Sequence, residues 1–348
     1  MKKLSLLSLL LICSMLFTAS AQTPLAKAFS SANDASGEFK NDFPTPKVNK
    51  KGSGYSVNPE LLAKPVKKVA LVSFFYEDAG SSNESKLTNT ANAWRVSDEL
   101  GQKHVDGFYN SGVPALVQAF KEKNIDLLLP KQFLDTEEKK AYYSNFEVEH
   151  HSIKNEKKAG ASASVRKTGR EFGETAVMYD SKLSKSASVD RLKITATDSQ
   201  MKPLFLVNEL FNGSNTNIHS NKMMAAGTLF LFDKKMCTSL GFDMAKKLDV
   251  DAVLVVWLLS FKTDKNKENY GVKAISGYMF GPNPVQREEG DEKGMSYARG
   301  IFYGGQRAYF HGMLPYQNEK KFKDPDFSGF ANAMTGMAYN MSKTLQED

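Results

Sequence analysis

Ala252-Val253-Leu254-Val255-Val256-Trp257-Leu258-Leu259 is an unbroken apolar run with no charge. An earlier run, Val69-Ala70-Leu71-Val72-Ser73-Phe74-Phe75, has the same character and follows Lys67-Lys68. Runs this short and this rich in β-branched and aromatic residues read as strands buried on both faces. A sheet with two apolar faces must be covered on both sides, so helices are expected against each.

The helices are legible beside the strands. Val113, Leu116, Val117 and Phe120 recur at helical spacing, with Ser111 as the expected N-cap and Pro114 in the first turn. That helix runs directly into Ile125-Asp126-Leu127-Leu128-Leu129, a short strand ended by Pro130. Cys237, Leu240, Gly241, Met244, Ala245 and Leu248 form another stripe, which leads through Asp249 into the strand at Ala252. Smaller helices are expected around Ala91 to Leu100 and, capped by Asp135, over Thr136 to Phe146. Tyr270 to Phe280, Arg299 to Tyr303 and Gln306 to Leu314 read as antiparallel strands, the last two joined by a Gly304-Gly305 turn. Asp324-Pro325 signals a C-terminal helix whose apolar side carries Phe327, Phe330, Ala331, Met334, Ala338, Met341 and Leu345. The expected class is α/β: a three-layer mixed sheet with helices packed on it, plus antiparallel strands and a C-terminal helix.

Lys2 and Lys3, the apolar stretch Leu4 to Phe17 and the small residues Ala19-Ser20-Ala21 have the order of a secretory signal, with cleavage leaving Gln22 first. The stretch is shorter than the roughly 20 apolar residues that span a bilayer. Cys13 follows Ile12 rather than a small residue, which argues against lipid attachment. The expected organisation is a signal over 1–21, an extended and disordered leader over 22–67, and one α/β domain over 68–348 with an insertion at about 147–203. No transmembrane helix is expected in the mature chain, whose location is the periplasm, the cell exterior or the outer-membrane surface. Cys237 is then the only cysteine, so no internal disulfide forms, and it is expected to pack as a small hydrophobe. The whole chain has 46 basic and 39 acidic residues; without Lys2 and Lys3 the excess is five. That is too small to imply nucleic acid, although it suits an anionic envelope surface.

The strand at Lys67-Lys68-Val69-Ala70-Leu71-Val72-Ser73-Phe74, the helix and strand Val113 to Leu129, and the phrase Leu248-Asp249-Val250-Asp251-Ala252-Val253-Leu254-Val255 come in an order that resembles a known α/β module. It is the module shared by the curli-secretion channel lipoprotein, the lipoprotein activators of penicillin-binding proteins and the N-terminal domain of the Tol–Pal translocation protein. The likeness covers about 100 of the 327 residues from Gln22 onward. It implies a non-enzymatic role in the cell envelope, exercised through protein contacts. The chain departs from the group in lacking a lipid-attachment site and in carrying the 147–203 segment and the glycine-aromatic strands after Tyr270.

Candidate chemistry is sparse. Ligands of open α/β sheets gather beyond the carboxyl ends of the strands. Those ends bring Glu77, Asp78 and Gly80-Ser81-Ser82 beside Lys262 and Asp264. Glu77 and Asp78 are the carboxylates that an exported hydrolase would use, which is the alternative to a binding module. The chain has no phosphate-loop, dinucleotide or serine-hydrolase motif. His150-His151 would point to opposite sides of a strand, and His104, His219 and His311 stand alone, so no metal or other cofactor is expected. Glu288-Glu289-Gly290-Asp291-Glu292 misses calcium-loop spacing and reads as a charged hairpin tip. Lys154, Lys157, Lys158, Arg166, Lys167 and Arg170 form a basic stretch without interleaved aromatics, a surface for an anionic envelope component rather than for bases.

Overall fold

The structure, a computed structural model, describes residues 22–41, 47–51, 54, 56–78, 81–84, 91–149, 192–204, 234–285 and 298–345. In chain order the elements are α1 (Pro24–Ala28), α2 (Ala32–Glu38), β1 (Lys40–Asn41), β2 (Lys68–Asp78), β3 (Ser81–Glu84), β4 (Ala91–Trp94), α3 (Asp98–Glu122) and β5 (Asp126–Leu128). They continue with α4 (Pro130–Phe133), α5 (Glu137–Asn145), β6 (Leu192–Thr195), α6 (234–248), β7 (Ala252–Lys262), β8 (Tyr270–Pro282), β9 (Gly300–Gln317) and α7 (Phe330–Leu345). Seven strands make one mixed sheet in the order β1-β9-β8-β7-β2-β5, with β6 also on β2, while β3 and β4 pair separately.

The two apolar runs become neighbours. β2 lies parallel to β7 from Val69↔Ala252 to Asp78↔Ser260, and its first residues pair in parallel with β5. β6 pairs antiparallel with Phe75 to Asp78, and β7, β8 and β9 form an antiparallel ladder. Side chains alternate across the sheet and build a core on each face. On the first face, Leu71, Phe74 and Tyr76 of β2 and Leu254, Val256 and Leu258 of β7 pack with Phe108, Leu116 and Phe120 of α3 and Phe330, Met334 and Met341 of α7. On the second, Ala70, Val72, Phe75, Val253 and Val255 pack with Phe133 and Tyr143 and with Met236, Cys237, Leu240 and Met244 of α6. The three-layer α/β architecture is thus as the apolar runs require.

β2 has one residue more than β7 between Leu71 and Ser73. At this bulge the Val72 carbonyl receives the Tyr143 hydroxyl at 2.5 Å. Ser73 Oγ donates to the Lys202 carbonyl and accepts from Leu204 N, which fastens residues 201–204 beside the strand.

Several expectations need correction. The leader does not hang free where it is described: Leu25, Phe29, Ala35 and Phe39 are buried, and Phe29 meets Phe310 edge-on at 5.9 Å. Thr23 and Ser31 cap α1 and α2, and β1 adds to the outer side of β9. Ala91 to Trp94 is strand β4, not helix. α3 starts at its Ser97 cap and runs unbroken through Pro114 because Val113 and Leu116 on either side are buried in the first core. Ser111, the expected cap, instead donates to the Phe327 carbonyl at 2.8 Å. α5 is capped by Thr136 rather than Asp135. Gly304-Gly305 is no turn, since β8 keeps pairing through it and Tyr303 is absorbed as an extra residue, its hydroxyl on the Pro282 carbonyl. α7 begins at Phe330, not Asp324, because Phe327 is used as a wedge against Phe108 at 4.6 Å. Of the segment 147–203, residues 192–195 form β6, while 150–191 lie outside the described residues.

The first and last elements clasp each other. Thr23 donates to Asp326 at 2.9 Å, Asn332 to the Phe29 carbonyl at 2.9 Å, and Ser36 and Asn340 exchange two hydrogen bonds of 2.7 and 2.9 Å. Phe29→Ala is therefore expected to cost about 3–5 kcal/mol in urea unfolding, whereas Lys27→Ala on the exposed side of α1 stays within about 0.5 kcal/mol. Equal, negligible effects would mean that the leader is not part of the fold.

Candidate functional site

The carboxyl ends of β2 and β7 do collect polar side chains, but these are engaged within the fold. Alternation sends Tyr76 and Asp78 to the face of α3 and Glu77 to the opposite face, beside Phe75; both carboxylates are fully buried. Asp78 Oδ2 accepts from Val96 N at 2.8 Å, one residue before the cap of α3, and so fixes where that helix starts. Glu77 stands opposite Lys193 in the β2–β6 pair. The two carboxylates offered by the sequence are not brought to one substrate. Lys262 sits over the Tyr270 ring and Asp264 pairs with Lys267 at 3.2 Å. Ser81 and Ser82 lie in β3, and Gly80 falls outside the described residues.

Beside Asp78 is a network that centres on His104, a residue that stands alone in sequence. His104 is wholly buried on α3, with Nε2 2.8 Å from Gln317 Oε1 and Nδ1 3.1 Å from Tyr316 Oη. Gln317 Nε2 donates to the Lys323 carbonyl, so its oxygen faces the ring and Nε2 carries the imidazole proton. Nδ1 then accepts the Tyr316 proton, and Tyr316 Oη is approached by Tyr76 Oη and Ser260 Oγ, each at 3.2 Å. Ser260 Oγ also reaches the Gly271 carbonyl at 3.1 Å. Burial holds the His104 pKa down to about 4, against a partial upward pull from Gln317. Burial likewise pushes Tyr76 and Tyr316 far up, helped in both by the Asp78 charge. Every group is thus held in its neutral form and hydrogen-bonded, as a satisfied polar core demands.

The accessible polar chemistry lies on the other side of the molecule. Between α5 and α6 is an open recess of about 360 Å3 lined by Tyr142, Phe242, Asp243, Lys246, Lys247 and Arg299. Its floor comes from the π-helical turn Ser239–Met244 in the middle of α6. That turn lies backbone-to-backbone on the sheet: a Cβ on Gly241 would meet the Gly281 oxygen at 2.6 Å, and one on Gly300 would meet the Cys237 oxygen at 2.1 Å. Arg299, next to Gly300, lays its guanidinium carbon 4.0 Å over the Phe242 ring, and Lys246 Nζ is 5.7 Å from the same ring. Lys247 pairs with Glu138 and so joins α6 to α5. Burial raises the Asp243 pKa, opposed by Arg299 and Lys246 and reinforced by Glu149. Sequence spacing gave no hint of this site, because its side chains come from three separated segments. A second recess, of about 280 Å3, lies at the amino ends of β2 and β7, where Asp251 accepts from Lys67 N and Lys68 N at 2.9 Å and pairs with Lys64 at 2.7 Å. Its carboxylate is fully engaged in fastening β7 to β2.

Lys154, Lys157, Lys158, Arg166, Lys167 and Arg170 lie outside the described residues, as do His150, His151, His219 and the acidic run 288–292. The last described residue before that basic stretch, Glu149, donates its backbone N–H to Ser239 at the start of the π-helical turn. Among the described residues no cluster of three or more His, Cys, Asp or Glu is placed to hold a metal ion, and no helix is long and apolar enough to cross a membrane. Cys237 is buried in the second core and forms no disulfide among the described residues.

His104 makes the fold acid-sensitive in a defined window. An unfolded histidine protonates near pH 6.5 and this one near 4, so the unfolded chain binds the extra proton between those values and stability falls as pH is lowered through them. A loss of about 3 kcal/mol is expected from pH 7 to pH 4 in urea titrations, and His104→Gln should flatten that part of the profile. An unchanged slope in the variant would assign the acid sensitivity to other groups. Set against protein-family models, curated proteins and solved structures, the chain matches none.

Proposed function

We propose that this chain is an exported protein of a bacterial cell envelope that acts by binding or assembly rather than by catalysis, in the periplasm or at the outer-membrane surface. The observation that carries this reading is the partition of its polar groups. His104, Tyr76, Tyr316 and Asp78 at the strand ends are buried and bonded internally, whereas the open recess between α5 and α6 presents cations and aromatic rings, the groups of recognition. The N-terminal charge, apolar stretch and small residues support export, and Thr23, one residue beyond the expected cleavage point, is already part of the clasp with Asp326. The resemblance to the envelope α/β module supports the same reading by analogy of pattern.

Cell fractionation with mass spectrometry of the recovered chain tests it. The expected result is a protein beginning at Gln22 in the periplasmic or outer-membrane fraction, in which a photoreactive residue at Tyr142 crosslinks to an envelope component. Retention of the uncleaved chain in the cytoplasm would overturn export. A hydrolytic turnover by the purified protein that Asp78→Asn abolishes while the fold is kept would overturn the binding role.

A further inference from the structure

The recess between α5 and α6 has the geometry of an oxyanion site. A guanidinium held over an aromatic ring by a cation–π contact keeps N–H groups for a further partner. Arg299 has its guanidinium carbon 4.0 Å from the centre of the Phe242 ring, and among the described residues neither it nor Lys246 forms an ion pair. A fork of donors and a point charge therefore converge on one ring. Lys247 is taken by Glu138, and the remaining acidic neighbours among the described residues are Asp243 and Glu149. The site is fixed in place from below. Arg299 is set by Gly300, whose Cα lies against the Cys237 carbonyl, and Phe242 by the π-helical turn that Gly241 presses onto Gly281. π-helical turns inside α-helices are frequent at functional sites. The volume, about 360 Å3, exceeds what a bare anion needs and leaves Tyr142 as a wall for whatever carries it.

We propose that this recess binds a phosphate group, held by Arg299 and Lys246 above Phe242, with the body of the phosphate ester lying toward Tyr142. Phosphate is favoured over a carboxylate because its several oxygens can meet the guanidinium fork and the ammonium at once. The inference rests on the reading of the chain as a binding module, and it names the chemistry that such a module recognises. Asp243 sets the affinity from the unfavourable side, since its charge opposes the ligand while Arg299 and Lys246 draw it in.

The test uses the purified chain from Gln22 onward, titrated calorimetrically with inorganic phosphate and with glycerol phosphate, and sedimented with vesicles of phosphatidylcholine alone or mixed with phosphatidylglycerol. Saturable phosphate binding is expected, about tenfold or more weaker in Arg299→Gln and Lys246→Gln, unchanged in Lys27→Gln, and severalfold tighter in Asp243→Asn. Urea midpoints equal to the parent's show that these variants fold. Co-sedimentation with the phosphatidylglycerol vesicles that the same two variants abolish assigns the phosphate to a lipid headgroup, and phosphate binding without vesicle binding assigns it to a soluble ester. No saturable binding of either kind, or binding indifferent to Arg299 and Lys246, overturns the proposal. That failure leaves the fractionation result untouched, so it is distinguishable from a failure of the envelope reading.

Discussion

Between Leu71 and Ser73, β2 carries one residue more than the strand it pairs with, and both faces of the sheet follow from that residue. Before the bulge Val69 and Leu71 face α3; after it the same side belongs to Phe74 and Tyr76. A regular strand would have kept odd-numbered residues on that face and turned Tyr76 away from His104. The bulge also frees the Val72 carbonyl from the regular ladder, and the Tyr143 hydroxyl takes it. One inserted residue therefore places Tyr76 in the buried network, seats α5 on the second face and gives the chain after β6 its anchor at Ser73. An insertion of this kind costs ladder regularity and is retained where it aims side chains.

The clasp between the N-terminal elements and α7 has a different logic. α1 and α2 are five and seven residues long, too short to be stable as isolated helices. Each exists because its cap is satisfied and its apolar side chains enter the core beside α7 and β9. Their partners Asp326, Asn332 and Asn340 lie about 300 positions further along the chain. Contacts of such sequence separation form late and add stability mostly by slowing unfolding.

This separation explains what the sequence could and could not disclose. Ala252 to Leu259 and Val69 to Phe75 announce buried strands because periodicity is local, and so do the helices that run into β5 and β7. The leader misled because Leu25, Phe29 and Phe39 are sparse among small and polar residues, and nothing nearby shows the surface they bury against. Glu77 and Asp78 were correctly placed at the strand ends, yet their burial depends on β6, α3 and β9 closing around them. His104 looked isolated because Tyr316 and Gln317 are more than 200 residues away, although Tyr76 is near in sequence. Arg299 and Phe242 likewise meet only after α6 has settled on the ends of β8 and β9.

The two polar sites differ in a way that bears on function. In the His104 network each group is neutral and satisfied, so it holds the end of the sheet together and its energy is spent within the fold. At the recess, Arg299 and Lys246 lie toward the surface, and Arg299 is positioned by the Phe242 ring and by the close backbone contact at Gly300. Restricting a long cationic side chain before a ligand arrives lowers the entropy that binding must supply. Truncating Phe242 would therefore weaken a ligand of Arg299 even though the ring need not touch it, whereas altering the His104 network would change stability and leave the recess its geometry. The proposed binding recess and the buried His104 network lie at opposite ends of the sheet, and the bulge in β2 decides that Tyr76 and Asp78, rather than Glu77, share the face of His104.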